Sequence, residues 1–296
     1  MQTKYILIQN QMVNAVYVQG DYNKTTDKWN GVIKVFQASF DKKYDDIFLG
    51  EFEGDFTGLS LSGEGVFRGR FQDYIKMMTE TEDNYSYNGE FFYNFVHKYK
   101  GSFYHAVPDG LGRLYSVPHQ NRFDYVHDKE KIEALIFKGE FKEGYIQGKG
   151  IQYSLDGKKY YEGDWFTLHE NESADPASSY KTNKLFLNNY KINDHMSMKF
   201  HGTGKFYFEN KLLYSGEWYY GRFHGTGTLY NLKNGTPYYT GTWRYGSPHG
   251  IGIEYRPNGM ILYKGYWIDG MKHGWGTLYD AEGEVLFFGK MENSQR

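Results

Sequence analysis

The sequence predicts an all-β chain: an elongated meander of antiparallel β-hairpins, a single-layer sheet curled into a trough. Three observations lead there. One short phrase recurs in register, as Y-S-G-E-W from Tyr214, Y-T-G-T-W from Tyr239, Y-K-G-Y-W from Tyr263 and F-F-G-K-M from Phe287. Its glycines Gly216, Gly241, Gly265 and Gly289 are spaced 25, 24 and 24 residues apart, a period that signals a repeat architecture. And 36 glycines accompany 30 Tyr, 22 Phe and 6 Trp in 296 residues, which suits thin aromatic layers better than a thick aliphatic core.

Each element of the repeat has a local reason. Y-x-G-x-W alternates large side chains about a glycine, so both rings leave on one face of a strand. An answering H-G-x-G follows at His224–Gly227, His249–Gly252 and His273–Gly276, its glycine pair opening nine residues after the first glycine. G-R-F-H-G, residues 221–225, reads as the reversing turn, and T-G-T-L-Y, residues 226–230, as the returning strand. Symmetric folding of that turn sets Trp218 beside Gly227, an aromatic covering a bare backbone. Asn234-Gly235, Asn258-Gly259 and Glu282-Gly283 mark the exits, where tight primed turns would lead into the next repeat. Gly216, Gly227, Gly241, Gly252, Gly265 and Gly276 are therefore structural glycines.

From the start, residues 1–98 read as degenerate repeats and a cap. Tyr5 to Ile8 is too short an apolar run for a signal peptide or a membrane span, so the N-x-S/T patterns at Asn23, Asn84, Asn171 and Asn234 carry little meaning. Val18 to Tyr22 resembles the first-strand phrase unanswered, and Phe48-Leu49-Gly50-Glu51-Phe52 is answered at Gly63 after thirteen residues rather than nine. Phe67 to Phe71 and Tyr87 to Phe91 are isolated phrases around an insertion at 72–86. Residues 99–165 regain the period through Tyr99 to Phe103 with Gly110-Leu111-Gly112, and Phe137 to Phe141 with Gly148-Lys149-Gly150, interrupted by an insertion at 116–136. Tyr161 to Trp165 opens another copy, whose answer at His201–Gly204 waits behind a polar loop, 166–199. Loops of that length are commonly functional, and this one is expected to help set partner choice. Residues 200–296 are the regular C-terminal repeats, making seven complete copies in the chain.

Composition narrows function. Zero cysteines removes disulfides and thiol catalysis, and a net charge of -2 gives no electrostatic case for nucleic acid or an anionic membrane. Mean hydropathy is polar at -0.72, yet so many aromatics argue against disorder. His201, His224, His249 and His273 recur once per repeat and invite a metal. Two strands per repeat separate them by roughly 10 Å, too far for one zinc. The acids after the glycine, Glu51, Glu90, Glu140, Asp164 and Glu217, read as a solvated face rather than a carboxylate pair. No phosphate-binding loop and no G-x-S-x-G elbow is present. No catalytic residue, cofactor or metal ligand is assigned, and the chain is expected not to be an enzyme.

These phrases resemble the MORN repeat (membrane occupation and recognition nexus), whose unit looks like Y-x-G-x-W-x-x-G-x-x-H-G-x-G. The likeness is strongest over residues 214–276, good over 137–165 and loose before 99. It implies a non-catalytic scaffold in a cytoskeletal assembly, a ciliary axoneme with radial-spoke-like parts, or alternatively a peripheral membrane-junction protein, with an enzyme regulator as the third and least favoured reading. It implies a cytoplasmic, cytoskeletal location and protein partners, self-association among them. On a single-layer sheet the aromatics Trp165, Tyr214, Trp218, Tyr239, Trp243, Tyr263 and Trp267 have two roles open: stacking as the sheet's own core, or offering a partner the outer parts of their rings in the trough.

Overall fold

The structure is a computed structural model, and it describes residues 3–8, 15–39, 45–69, 96–116, 133–167 and 198–294. It divides into two compact units, one centred on Met1–Gly157 and one built from Lys158–Phe166 and Lys199–Arg296. The insertions at 72–86 and 116–136, the Tyr87 phrase and the loop at 166–199 lie wholly or mostly outside the described residues. The units part at Gly157, so the Tyr161 copy joins the C-terminal repeats.

The first unit is a meander of β1 (Thr3–Ile8), β2 (Val16–Asn23), β3 (Lys28–Gln37), β4 (Ile47–Thr57), β5 (Ser62–Gly69), β6 (Val96–Tyr104), β7 (Val107–Ser116), β8 (Ala134–Lys142) and β9 (Tyr145–Tyr153). The second runs through β10 (Lys159–Thr167), β11 (Met198–Phe208), β12 (Lys211–Tyr219), β13 (Arg222–Tyr230), β14 (Pro237–Arg244), β15 (Ser247–Tyr255), β16 (Ile261–Ile268), β17 (Met271–Tyr279) and β18 (Val285–Ser294). Within each unit sequential strands pair antiparallel, and the described residues contain no helix. The fold is all-β.

One ladder fixes the register. In the second unit Gly204, Gly216, Gly227, Gly241, Gly252, Gly265, Gly276 and Gly289 pair strand to strand without a break. In the first unit Gly54, Gly65, Gly101, Gly112, Gly139 and Gly150 do the same. The ladder exists because a ring lies across it. A Cβ built on Gly227 would run into the Tyr214 ring, and those on Gly252 and Gly276 into Tyr239 and Tyr263. Aromatic cover of glycine is therefore present, with a different ring. Trp218 pairs with Phe223, while Tyr214 covers Gly227.

The ladder also corrects the reading of residues 48–65. Gly54, not Gly50, pairs with Gly65, so the phrase is Phe52-Glu53-Gly54-Asp55-Phe56, answered at Gly63 after the regular nine residues. Gly50 pairs with Gly69 instead. The two phenylalanine phrases overlap at Phe52, and the upstream one masked the true period.

Turn types are exchanged relative to expectation. The primed two-residue turns lie inside the repeats, where Tyr220-Gly221, Tyr245-Gly246 and Asp269-Gly270 have φ of 49 and 77, 48 and 90, and 48 and 84. Arg222 to Gly225, expected in the turn, already belongs to β13. The N-G exits are longer loops: Gly259 sits at φ 86 and its N–H donates to Arg256 O at 2.9 Å, while Asn258 Oδ1 accepts from Met260 N–H at 3.1 Å. Each turn also hangs on the preceding repeat, since Gly221, Gly246 and Gly270 N–H donate to Phe200, Phe223 and Pro248 carbonyls, each at 2.8 Å.

Candidate functional site

The seven aromatics expected to line a binding trough form one zigzag instead. Trp218, Trp243 and Trp267 each stand edge-on between their own tyrosine and the previous one. In the second unit the chain runs Trp165, Tyr161, Trp218, Tyr214, Trp243, Tyr239, Trp267, Tyr263, with successive ring centroids 4.9 to 5.6 Å apart. Phe200 and Phe223 stack flat on Tyr161 and Tyr214 at 3.8 Å. All seven expected rings are 0 to 3% exposed. Their outer edges are not on offer: a partner reaches them only by displacing a neighbouring ring. Of the two roles left open by sequence, core stacking describes this arrangement.

The polar atoms of these rings are also engaged. Tyr214, Tyr239 and Tyr263 hydroxyls donate to the carbonyls of Glu217, Thr242 and Tyr266 at 3.0 to 3.1 Å. Trp218, Trp243 and Trp267 Nε1–H donate to Gly204, Gly227 and Gly252 carbonyls at 3.2, 3.1 and 3.4 Å. Burial pushes the Tyr161, Tyr214 and Tyr239 hydroxyls well above the ordinary phenol range. Such groups stay protonated and donate; they are poor general bases.

The acid after the glycine has a structural task that the alternation rule missed. Register shifts after Gly216↔Gly227, because Glu217 pairs with His224 and leaves Gly225 and Thr226 bulged. The Glu217 carboxylate accepts from Thr226 N–H at 2.8 Å and from Thr226 Oγ1 at 2.7 Å. Asp164 holds Thr203 in the same way, at 2.8 and 3.1 Å. These donors hold the Glu217 carboxyl below the usual range. The signal was present in the sequence: an acid in one strand of these copies answers a threonine between the two glycines of the other. Glu90 lies outside the described residues.

The histidines sit among rings beside the turns. His201 lies against Phe166, Tyr219 and Tyr220, and His224 against Tyr219 and Tyr245. Burial depresses both pKa values, opposed at His201 by Asp164 and at His224 by Glu217. His249 Nδ1 faces Asp269 Oδ1 at 3.4 Å. Among the described residues no three His, Asp or Glu groups converge at metal-binding distance.

What the sheet does present is its other face. The residue between the paired glycines and the residue before the tryptophan point there. They are Thr226 and Glu217 in one repeat, Ile251 and Thr242 in the next, then Trp275 and Tyr266. Trp275 is 64% exposed, and Ile251, Tyr266 and Phe288 are exposed beside it. Sequence reasoning passed over these four because attention lay on the rings at repeating positions, whereas these occupy a row whose chemistry changes from copy to copy.

No curated protein matches the chain. A family model, the MORN repeat, matches residues 137–159, 214–231, 239–261 and 263–285. These stretches coincide with β8–β9 and with β12–β17, where the tyrosine or phenylalanine phrase and its glycine pair are most regular. Repeats of this type in succession suggest a protein-interaction or membrane-associated scaffold.

Proposed function

We propose that the chain is a non-catalytic scaffold that binds other proteins. The observation that carries this is how the repeats use their reactive-looking groups. The Tyr214, Tyr239 and Tyr263 hydroxyls, the Trp218, Trp243 and Trp267 indole N–H groups and the Glu217 and Asp164 carboxylates are all hydrogen-bonded within the sheet. A general acid or base needs a free proton-transfer group facing a substrate. Here the same groups hold a sheet whose outer row varies, and loops or faces that vary on a rigid repeat are where recognition resides.

The finer part of the proposal sets this scaffold in a cytoskeletal assembly, with the ciliary axoneme foremost; family resemblance alone supports it. Affinity purification of the tagged chain, with co-purifying proteins identified, tests both parts. Stable co-purification of defined proteins is expected, cytoskeletal ones among them. A chain that floats with liposomes and retains no protein partner overturns the reading in favour of a membrane-associated scaffold.

A further inference from the structure

We propose that the outward face of β15–β18 docks an acidic peptide segment carrying apolar side chains. The proposal rests on the protein-binding reading above and names the face and the partner's chemistry. Ile251 pairs in register with Tyr266. Between the pairs Gly265↔Gly276 and Trp267↔Lys272, residues 273–275 oppose Tyr266 alone, which brings Trp275 beside it. The Trp275 and Phe288 rings lie 5.5 Å apart. Four exposed apolar side chains thus cross four adjacent strands, roughly 14 Å at the usual strand spacing.

The fold does not need them there. In the preceding repeats the same positions are Thr203 with Asp164 and Thr226 with Glu217, polar pairs hydrogen-bonded to one another. Those repeats build the same ladder and the same zigzag. A contiguous apolar patch in a row that is polar in the two preceding repeats marks a contact surface.

Charge selects the occupant. Lys264, in register with Ile253, and Lys290, in register with Trp275, stand among these side chains, both exposed. The carboxylates nearby lie toward the ends of the strands: Asp269, held by Arg244 at 3.0 Å, Asp280, Glu282 and Glu284 in the β17–β18 turn, and Glu292, two residues beyond Lys290 on β18. A basic partner would meet unmatched lysines, and a second copy laid on this face would set lysine against lysine. Two lysines supply only about 2 kcal/mol of attraction to an anionic bilayer. An acidic segment satisfies both charges while its apolar residues cover Trp275 and Tyr266.

The test uses the full chain and a fluorescein-labelled amphipathic peptide of about fourteen residues, roughly 21 Å as a helix. It has leucine along one face and glutamate elsewhere, and its twin carries lysine in place of glutamate. Fluorescence anisotropy is expected to show binding of the glutamate peptide and weak binding of its twin. Trp275→Ser should weaken the glutamate peptide at least about tenfold, the scale of losing a tryptophan anchor, with an unchanged melting temperature. Lys264→Glu with Lys290→Glu should reverse the preference between the two peptides. Equal binding of both peptides, or glutamate-peptide binding that survives Trp275→Ser, overturns the proposal. So does exclusive binding of phosphatidylcholine–phosphatidylserine vesicles, or a dimer that Trp275→Ser dissolves. Co-purifying proteins that remain with Trp275→Ser refute this face and leave the scaffold reading standing.

Discussion

The two units solve one packing problem with different rings. In the first, the zigzag is Phe56, Phe52, Phe103, Tyr99, Phe141, Phe137, with centroids 4.9 to 5.5 Å apart. In the second, tyrosine and tryptophan hold the same positions at nearly the same spacing. Phe56, Phe103 and Phe141 have no donor to match the indole N–H bonds of Trp218, Trp243 and Trp267. Geometry therefore comes from edge-to-face rings over a glycine floor, and the hydrogen bonds are added where the ring allows. Removing the floor should hurt more than trimming the ring, and trimming the ring more than changing the periphery.

Gly241→Val takes away the floor. A Cβ there would lie 2.5 Å from Gly252 Cα, 2.6 Å from Ile251 O and 2.7 Å from Tyr239 Oη. Two of these are backbone atoms that cannot turn aside, so the strands must separate. The expected loss is at or beyond the upper end of ordinary overpacking, about 3 kcal/mol. His249→Ala, trimming a side chain beside the turn, should cost less than about 1 kcal/mol. Thermal melts of the two variants side by side check the order. A more damaging histidine change would mean that the turn, not the ladder, holds the repeat.

Trp243→Phe converts one repeat of the second unit to the style of the first. It removes the Nε1–H bond to Gly227 O, about 1 kcal/mol, and leaves a modest gap beside Tyr214 and Tyr239. A total of about 1–2 kcal/mol is expected, against about 3–5 kcal/mol for Trp243→Ala. Denaturant unfolding of both variants measures the difference. Equal losses would show that the indole, rather than any ring in its place, sets the packing.

Much of this order was legible in the sequence because period, ring and glycine are local signals. Strand class and the succession of hairpins follow from alternation and spacing alone. What was not legible depends on partners several residues away. Tyr214 rather than Trp218 covers Gly227 because the tight turn at Tyr220-Gly221 sets Trp218 opposite Phe223, and the point at which the chain turns among these residues leaves no composition signature. Gly54 was hidden by the overlapping phrase at Gly50, which only strand pairing resolves. The aromatic rings were offered to partners on paper because a single layer has no second sheet to cover it. Edge-to-face packing between repeats covers them instead. The outer row of Ile251, Tyr266, Trp275 and Phe288 went unread because it does not repeat.

The smallest expected effect lies at that periphery and depends on pH. His224 is faced by the rings of Tyr219 and Tyr245, by Glu217 and by Arg244; His201 is faced by Phe166, Tyr219, Tyr220 and Asp164. Burial is the leading influence on both and lowers their pKa below 6.5. The unfolded chain then takes up protons before the folded one does. The stability these histidines contribute is full above about 6.5 and declines as pH falls toward their folded values. Glu217 has the same sign in a lower window. Its carboxyl is held below 4.5 by Thr226, so its contribution is lost as pH falls from there through its folded value. Thermal melts should therefore show a shallow fall between about pH 7.5 and 5.5 and a second one below about 4.5. The double change His201→Gln with His224→Gln should flatten the first fall alone, and Glu217→Gln should reduce only the second, to which Asp46 and Glu162, also held low by their partners, contribute as well. A first fall that persists in the histidine variant would place the mildly acid titration elsewhere. A melting temperature that rises on acidification would mean that the carboxylates beside the histidines outweigh their burial.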